Sequence, residues 1–440
     1  MSSRNLLIAA VLLAALSGLV WWAKRHPETP ETSKTPPSPK LADISSGQIK
    51  ELDLTRKDGT TLTLLRQNGK WEITSPQTLP ADQDAVTTLT GALNPVTADN
   101  VVENKASNLS TYGLNTPTLT VTVHEMNGKS DQLAFGDDVP GGSLVYARVG
   151  SDPKVYAVSS STKTSLDKTA NDLRDKRLLT FNSNQLSRIE LASAKSNVEF
   201  GKNNQNEWQI LKPQPSRADS FEVEELLRKL TDAKMDLSGS ADDTKKTDAA
   251  YASGRPVSAA KVTDASGTQT LDVRKNGDNY YAKSSAVAGI FKVSSDLGKE
   301  LEKPADDFRN KKIFDFGFSD LAKLEIQQGA SDKLYTRSGS DWKLNGRTMD
   351  PGAVQALIDK LRDLAATKFP STGFTAPQFS VAVSWNDGKR TDKAEFAKAS
   401  DAYIARRGTE PTLYQLDNKA VDDILEASNA IKPAASAATK

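Results

Sequence analysis

From Ile49 onward, apolar and polar residues alternate with a period of two in short runs: "IKELDLT", "TLTLLR", "TLTVTVHE", "QLAFG", "LVYARV" and "KVYAVS". A strand turns successive side chains to opposite faces, so these runs predict strands with one buried face. Asn-Gly, Asp-Gly and Gly-Gly pairs between the runs supply turns. In three places the period becomes helical. Val86, Leu89 and Leu93 share a face in the first, and Val223, Leu226, Leu227 and Leu230 in the second. Val354, Leu357, Ile358, Leu361 and Leu364 do so in the third. A further helix is expected in "TKTSLDKTANDLRD" and another in "VSSDLGKELEKPADDF".

The pattern recurs along the chain. Trp71, Trp208 and Trp342, in "KWEIT", "EWQIL" and "DWKL", are 137 and 134 positions apart. "LRDKRLLTF" and "FRNKKIFDF" are followed by "LSRIEL" and "LAKLEI". "LVYARVGSDPKVYAVS" is answered by "NYYAKSSAVAGIFKVS" and "AYIARRGTEPTLYQLD", with Arg148, Lys283 and Arg406 on the first strand of each pair. The prediction is an α+β protein of three tandem repeats of about 135 residues, each mostly antiparallel sheet with one or two helices. The units are placed at residues 44–181, 182–316 and 317–434, with a tail at 435–440.

Each tryptophan is followed by an aspartate that opens the helical run: Asp82, Asp219 and Asp350. A carboxylate there can accept the free backbone N–H groups of a first helical turn, so all three read as N-caps. Glu222 stands at capping-box spacing from Asp219, and Pro351 suits the first helical position after Asp350. Trp71, Trp208 and Trp342 read as core residues on inward strand positions in preference to exposed stacking platforms.

Residues 6–23 form an uncharged apolar run ending in Trp21 and Trp22, followed by Lys24 and Arg25. At 1.5 Å per residue a helix of this length spans about 27 Å, close to a hydrocarbon core. The reading is an uncleaved N-terminal transmembrane helix over residues 1–23, with a cleaved signal peptide as the alternative. Residues 24–43 are rich in proline and form a spacer. The expected orientation puts the N-terminus inside and the body outside, in a single pass, since no second apolar span returns the chain.

Composition removes several functions. Lys and Arg number 57 against 56 Asp and Glu, so no global field favours nucleic acid. There is no cysteine, which excludes disulfides, thiolate metal sites and a cysteine nucleophile. The two histidines are His26 in the spacer and His124, read as a strand-face residue, so a catalytic triad or a multi-histidine site is hard to assemble. No phosphate-binding loop, dinucleotide fingerprint or nucleophile elbow occurs. Adjacent acidic pairs such as Asp137 with Asp138, Asp242 with Asp243, and Asp306 with Asp307 read as solvated turns. No catalytic, cofactor or metal residues are assigned and no cofactor is expected. Arg148, Lys283 and Arg406 are the candidates for meeting an acidic partner.

The tryptophan phrase, "YGLNTP", "LAFGDD", "LVYAR", "VYAV" and "LRDKRLLTF" together resemble the bacterial domain-of-unknown-function family 4340. The resemblance implies a membrane-anchored, extracytoplasmic component linked to gliding-type ABC transport systems, placed in the inner membrane. It supplies no catalytic residues. The expected function is an interaction or ligand-binding protein auxiliary to such a transport or envelope assembly. Two rival readings are a carboxylate-dependent enzyme on envelope polysaccharide and a purely structural spacer.

Overall fold

The computed structural model describes Gly18, Trp21, Trp22, Lys24, Arg25 and residues 38–435, apart from 194–196, 240 and 409. The expected anchor at residues 6–23 lies outside the described residues but for Gly18, Trp21 and Trp22, and so does most of the spacer. No helix among the described residues is long and apolar enough to cross a membrane. The architecture is α+β, built on antiparallel sheets, and the chain divides into two compact units at residues 1–175 and 176–440.

The first unit holds a nine-stranded sheet and a small pairing of Lys40–Ala42 with Val96–Thr97. Strands Ile49–Arg56, Thr61–Gln67, Lys70–Ser75 and Leu79–Pro80 step outward by hairpins, as the alternation and turn residues dictate. The helix Gln83–Gly91 then carries the chain back across one face. Leu119–Glu125 therefore pairs on the opposite side of Ile49–Arg56, which becomes a central strand. Leu52, Leu54, Leu64, Val121 and Val123 face Val86 and Leu89 in one core.

The second unit holds two eight-stranded sheets with the same strand order. Arg188–Ser193 and Leu321–Gln328 are their central strands, and Ser220–Thr231 and Pro351–Asp363 their crossing helices. In all three sheets the helix cap ties two segments together. Asp82, Asp219 and Asp350 each accept two N–H groups of the first turn. Their own N–H groups donate to the carbonyls of Leu173, Phe308 and Lys432 in the segments that close each sheet. Glu222, expected to complete a capping box, pairs with Lys303 at 2.7 Å, because the N–H of Asp219 is already given to Phe308.

The boundaries differ from the sequence reading. Leu178, Leu179 and Phe181 pack in the core of the second sheet, and Ile313, Phe314 and Phe316 in that of the third. The second and third cores thus take in residues ahead of 182 and 317, while Leu173 and Phe308 stay with the preceding core. Two helices were not foreseen, Ala241–Ser253 and Asn418–Ala430; the latter closes the third sheet with Val421 and Ile424. "TKTSLDKTANDLRD" folds as two short helices, Ser160–Leu166 and Ala170–Leu173, with Asp167 and the cap Thr169 between them.

Candidate functional site

Trp71, Trp208 and Trp342 are 7%, 6% and 5% exposed and lie in the three cores, so none offers a stacking platform. Arg148, Lys283 and Arg406 occupy strands opposite Ala134, Asp272 and Glu395. Arg406 is committed to its neighbours: it pairs with Glu395 at 2.6 Å and lies 4.5 Å from the Phe374 ring centroid. Arg148 is half-buried in the first unit, and Lys283 is exposed.

The residue next to Arg406 does more. Strand geometry turns Arg407 the opposite way, inward, where it is buried and its guanidinium organises a network in the second unit. Arg407 donates to the Ile313 carbonyl at 2.8 Å, to Asp315 at 3.1 Å and to Asp392 at 2.6 Å. Asp392 also accepts the Asp315 N–H at 2.7 Å. From the edge strand Ser216–Arg217 of the second sheet, Arg217 reaches Asp315 at 2.5 Å and Glu410 at 3.0 Å. Tyr414 donates to Glu410 at 2.6 Å and accepts from Arg217 at 3.2 Å. Two cations and three carboxylates thus join the second and third sheets.

Burial pushes the Asp392 carboxyl above the ordinary aspartate value, against the pull of Arg407 and the Asp315 N–H. Burial also works against the charge on Arg217, but Tyr414, Asp315 and Glu410 outweigh it and raise its pKa. Burial lifts Tyr414 to about 12, Arg217 opposing and Glu410 assisting, so it stays a neutral donor.

Above this network lies a cleft of about 510 Å³. Arg217, Asp315 and Asp392 line it together with Trp385, Lys389 and Arg390 from the third sheet. Arg390 pairs with Glu207 at 3.3 Å, both half exposed, so this pair spans the two sheets. A shallower depression of about 450 Å³ shares Trp385 and Arg390 and adds Asp320 and Asp387. The deep charges are spent on one another. Lys389, Arg390, Glu207 and Asp387 are among the polar groups that line the two depressions outside that network. One further set of donors, Glu51, Asp53 and His124, converges among the described residues, on the first sheet.

The model of a domain of unknown function, DUF4340, matches the chain twice, over residues 71–253 and 208–380. The chain belongs to this family. Both DUF4340 matches open at a core tryptophan, Trp71 and Trp208, and each runs across a joint between sheets. Asp315 and the Arg217 edge strand fall within the second DUF4340 match, whereas Asp392 and Arg407 lie beyond it. No curated protein matches the chain.

Arg407 escaped the sequence reading because a charge on an inward strand position looks like ordinary polarity, and Asp315 because it lies in the irregular joint ahead of the third sheet. The signal was the Arg406–Arg407 doublet: on a strand, two adjacent cations cannot both face solvent.

Proposed function

We propose that this DUF4340 protein is a membrane-anchored extracytoplasmic interaction or ligand-binding protein, auxiliary to an ABC-type transport or envelope assembly. In this reading residues 6–23 cross the bacterial inner membrane once and residues 24–43 form a spacer. The three sheets then form the outer body as tandem repeats of one unit. The apolar run, the proline-rich stretch and the shared strand order support it. The observation that carries it is the cleft of the second unit, whose floor charges are paired with one another while its lip presents Lys389 and the Arg390–Glu207 pair. Such a lip suits recognition of a polar partner surface.

The geometry speaks against using Asp315 and Asp392 as a catalytic acid pair. Asp392 accepts from Arg407 at one oxygen and from the Asp315 N–H at the other, so both oxygens are held within the network and away from a substrate in the cleft. The test is crosslinking with mass spectrometry in native membranes, comparing wild type with Arg390→Glu. The expected result is a membrane protein crosslinked at the cleft lip and lost in the variant. Recovery of no partner, or crosslinks indifferent to the substitution, overturns the proposal. A C-terminal reporter active only outside the cytoplasm checks the orientation.

A further inference from the structure

The three sheets share a register, so their outward faces can be compared position by position. On the central strand pair of the second sheet, Arg188 stands opposite Thr263 and Glu190 opposite Lys261. On the third, Lys323 stands opposite Ser384 and Glu325 opposite Ala382. On the first, the same places hold Glu51 opposite His124 and Asp53 opposite Thr122. A cation has become a carboxylate, and a hydroxyl has become an imidazole.

The exchange leaves a local charge imbalance. In the second sheet Glu190 is met by Arg188 at 3.2 Å and by Lys261 at 3.8 Å. In the first, no lysine or arginine among the described residues forms an ion pair with Glu51 or Asp53; the one charged-type neighbour is His124, whose Nε2 lies 3.4 Å from Asp53 Oδ2. Donor atoms of Glu51, Asp53 and His124 all lie within 4.8 Å of one another, and all three side chains are half-buried. Thr63, on the adjacent strand, donates to Asp53 Oδ1 at 2.6 Å and so leaves Oδ2 facing the imidazole.

We propose that Glu51, Asp53 and His124 form a site for a divalent transition-metal ion of the zinc class on the outward face of the first sheet. The ion supplies the positive charge that Arg188 brings to Glu190 in the second sheet; the third sheet carries Lys323 at that place. Around a tetrahedral ion with bonds of about 2.0–2.2 Å, donors sit about 3.3–3.6 Å apart, so small side-chain adjustments close the set. One imidazole nitrogen with two carboxylate oxygens suits zinc or manganese better than calcium, which takes six to eight oxygens. Three protein donors leave at least one position for water or a ligand. The Thr63 hydroxyl acts as the outer partner that orients a ligating carboxylate. Two neighbouring antiparallel strands fix the backbone positions of all three ligands.

The test uses the full, tag-free chain in detergent, with zinc chloride as the only probe. Equilibrium dialysis with metal analysis is expected to give one zinc per chain, with a rise in melting temperature. Glu51→Arg, which installs the second sheet's own residue, and His124→Ala are each expected to weaken binding at least tenfold and to abolish that rise. Glu51→Gln guards against misfolding of the charge-reversed variant and is expected to weaken binding in the same direction. His26→Ala is expected to keep both signals, which removes the spacer histidine as the source. Cobalt substitution should give absorption bands of nitrogen and oxygen coordination that disappear in His124→Ala. Wild type without stoichiometric zinc, or zinc retained in Glu51→Arg and His124→Ala, overturns the site.

Discussion

The second and third sheets fasten their incoming joints at the same three register positions with different chemistry. In the second, Gln269 bonds to Thr180 through both backbone and side chain, at 2.8 and 3.1 Å, and Ser284 donates to the Leu178 carbonyl. In the third, Asp392 takes the place of Gln269, Asp315 that of Thr180, and Arg407 that of Ser284, with the Ile313 carbonyl accepting from Arg407. The neutral fastening is complete in itself. The charged one has more bonding capacity than its own sheet uses, and the surplus reaches Arg217 of the second sheet. Charge at the joint therefore binds sheet to sheet, and the two sheets share one compact unit.

The largest way to break this contrast is Asp315→Ala. It leaves the buried guanidiniums of Arg217 and Arg407 short of a carboxylate and should cost about 3–5 kcal/mol in denaturant unfolding. Arg217→Met removes the link between sheets while the Asp392–Arg407 fastening remains. Its expected cost is about 1.5–3 kcal/mol, with the two sheets melting less cooperatively in calorimetry. Thr180→Ala in the neutral joint should cost only about 1 kcal/mol; a loss equal to that of Asp315→Ala would erase the distinction.

The smallest effect is in pH. Because burial raises the Asp392 pKa, the folded state binds a proton there that the unfolded chain releases first. That contribution is present below the ordinary aspartate range and is lost as pH rises through the raised folded value. Asp392→Asn should thus show a steeper gain in stability than wild type across that acidic window, measured by urea unfolding at a series of pH values.

Much of this fold was legible in advance where apolar spacing is strict. The strands "IKELDLT" and "TLTVTVHE" and the helix face of Val354, Leu357, Ile358 and Leu361 all lie where their periods place them. The helix Asn418–Ala430 escaped because its buried face is completed by Ser428 and flanked by Ala427, residues too small or polar to mark a period. Ala241–Ser253 escaped for want of apolar residues: Tyr251 is its one large buried side chain among those described. The joints were misplaced because "LRDKRLLTF" and "FRNKKIFDF" look continuous, yet each serves two cores. The candidate site was hidden further, since its floor combines Arg217 with residues 98 to 197 positions away.

That separation has a meaning during synthesis. Arg217 lies on the outermost strand of the second sheet, whose backbone partner, Asn310, arrives much later in the chain. Asp315 follows Arg217 by 98 residues, about 5–20 s at ordinary translation rates. Throughout that interval a charged, solvated side chain guards an unpaired strand edge, where a second nascent chain could otherwise add. When the third sheet emerges, the same guanidinium changes role from sentry to clasp.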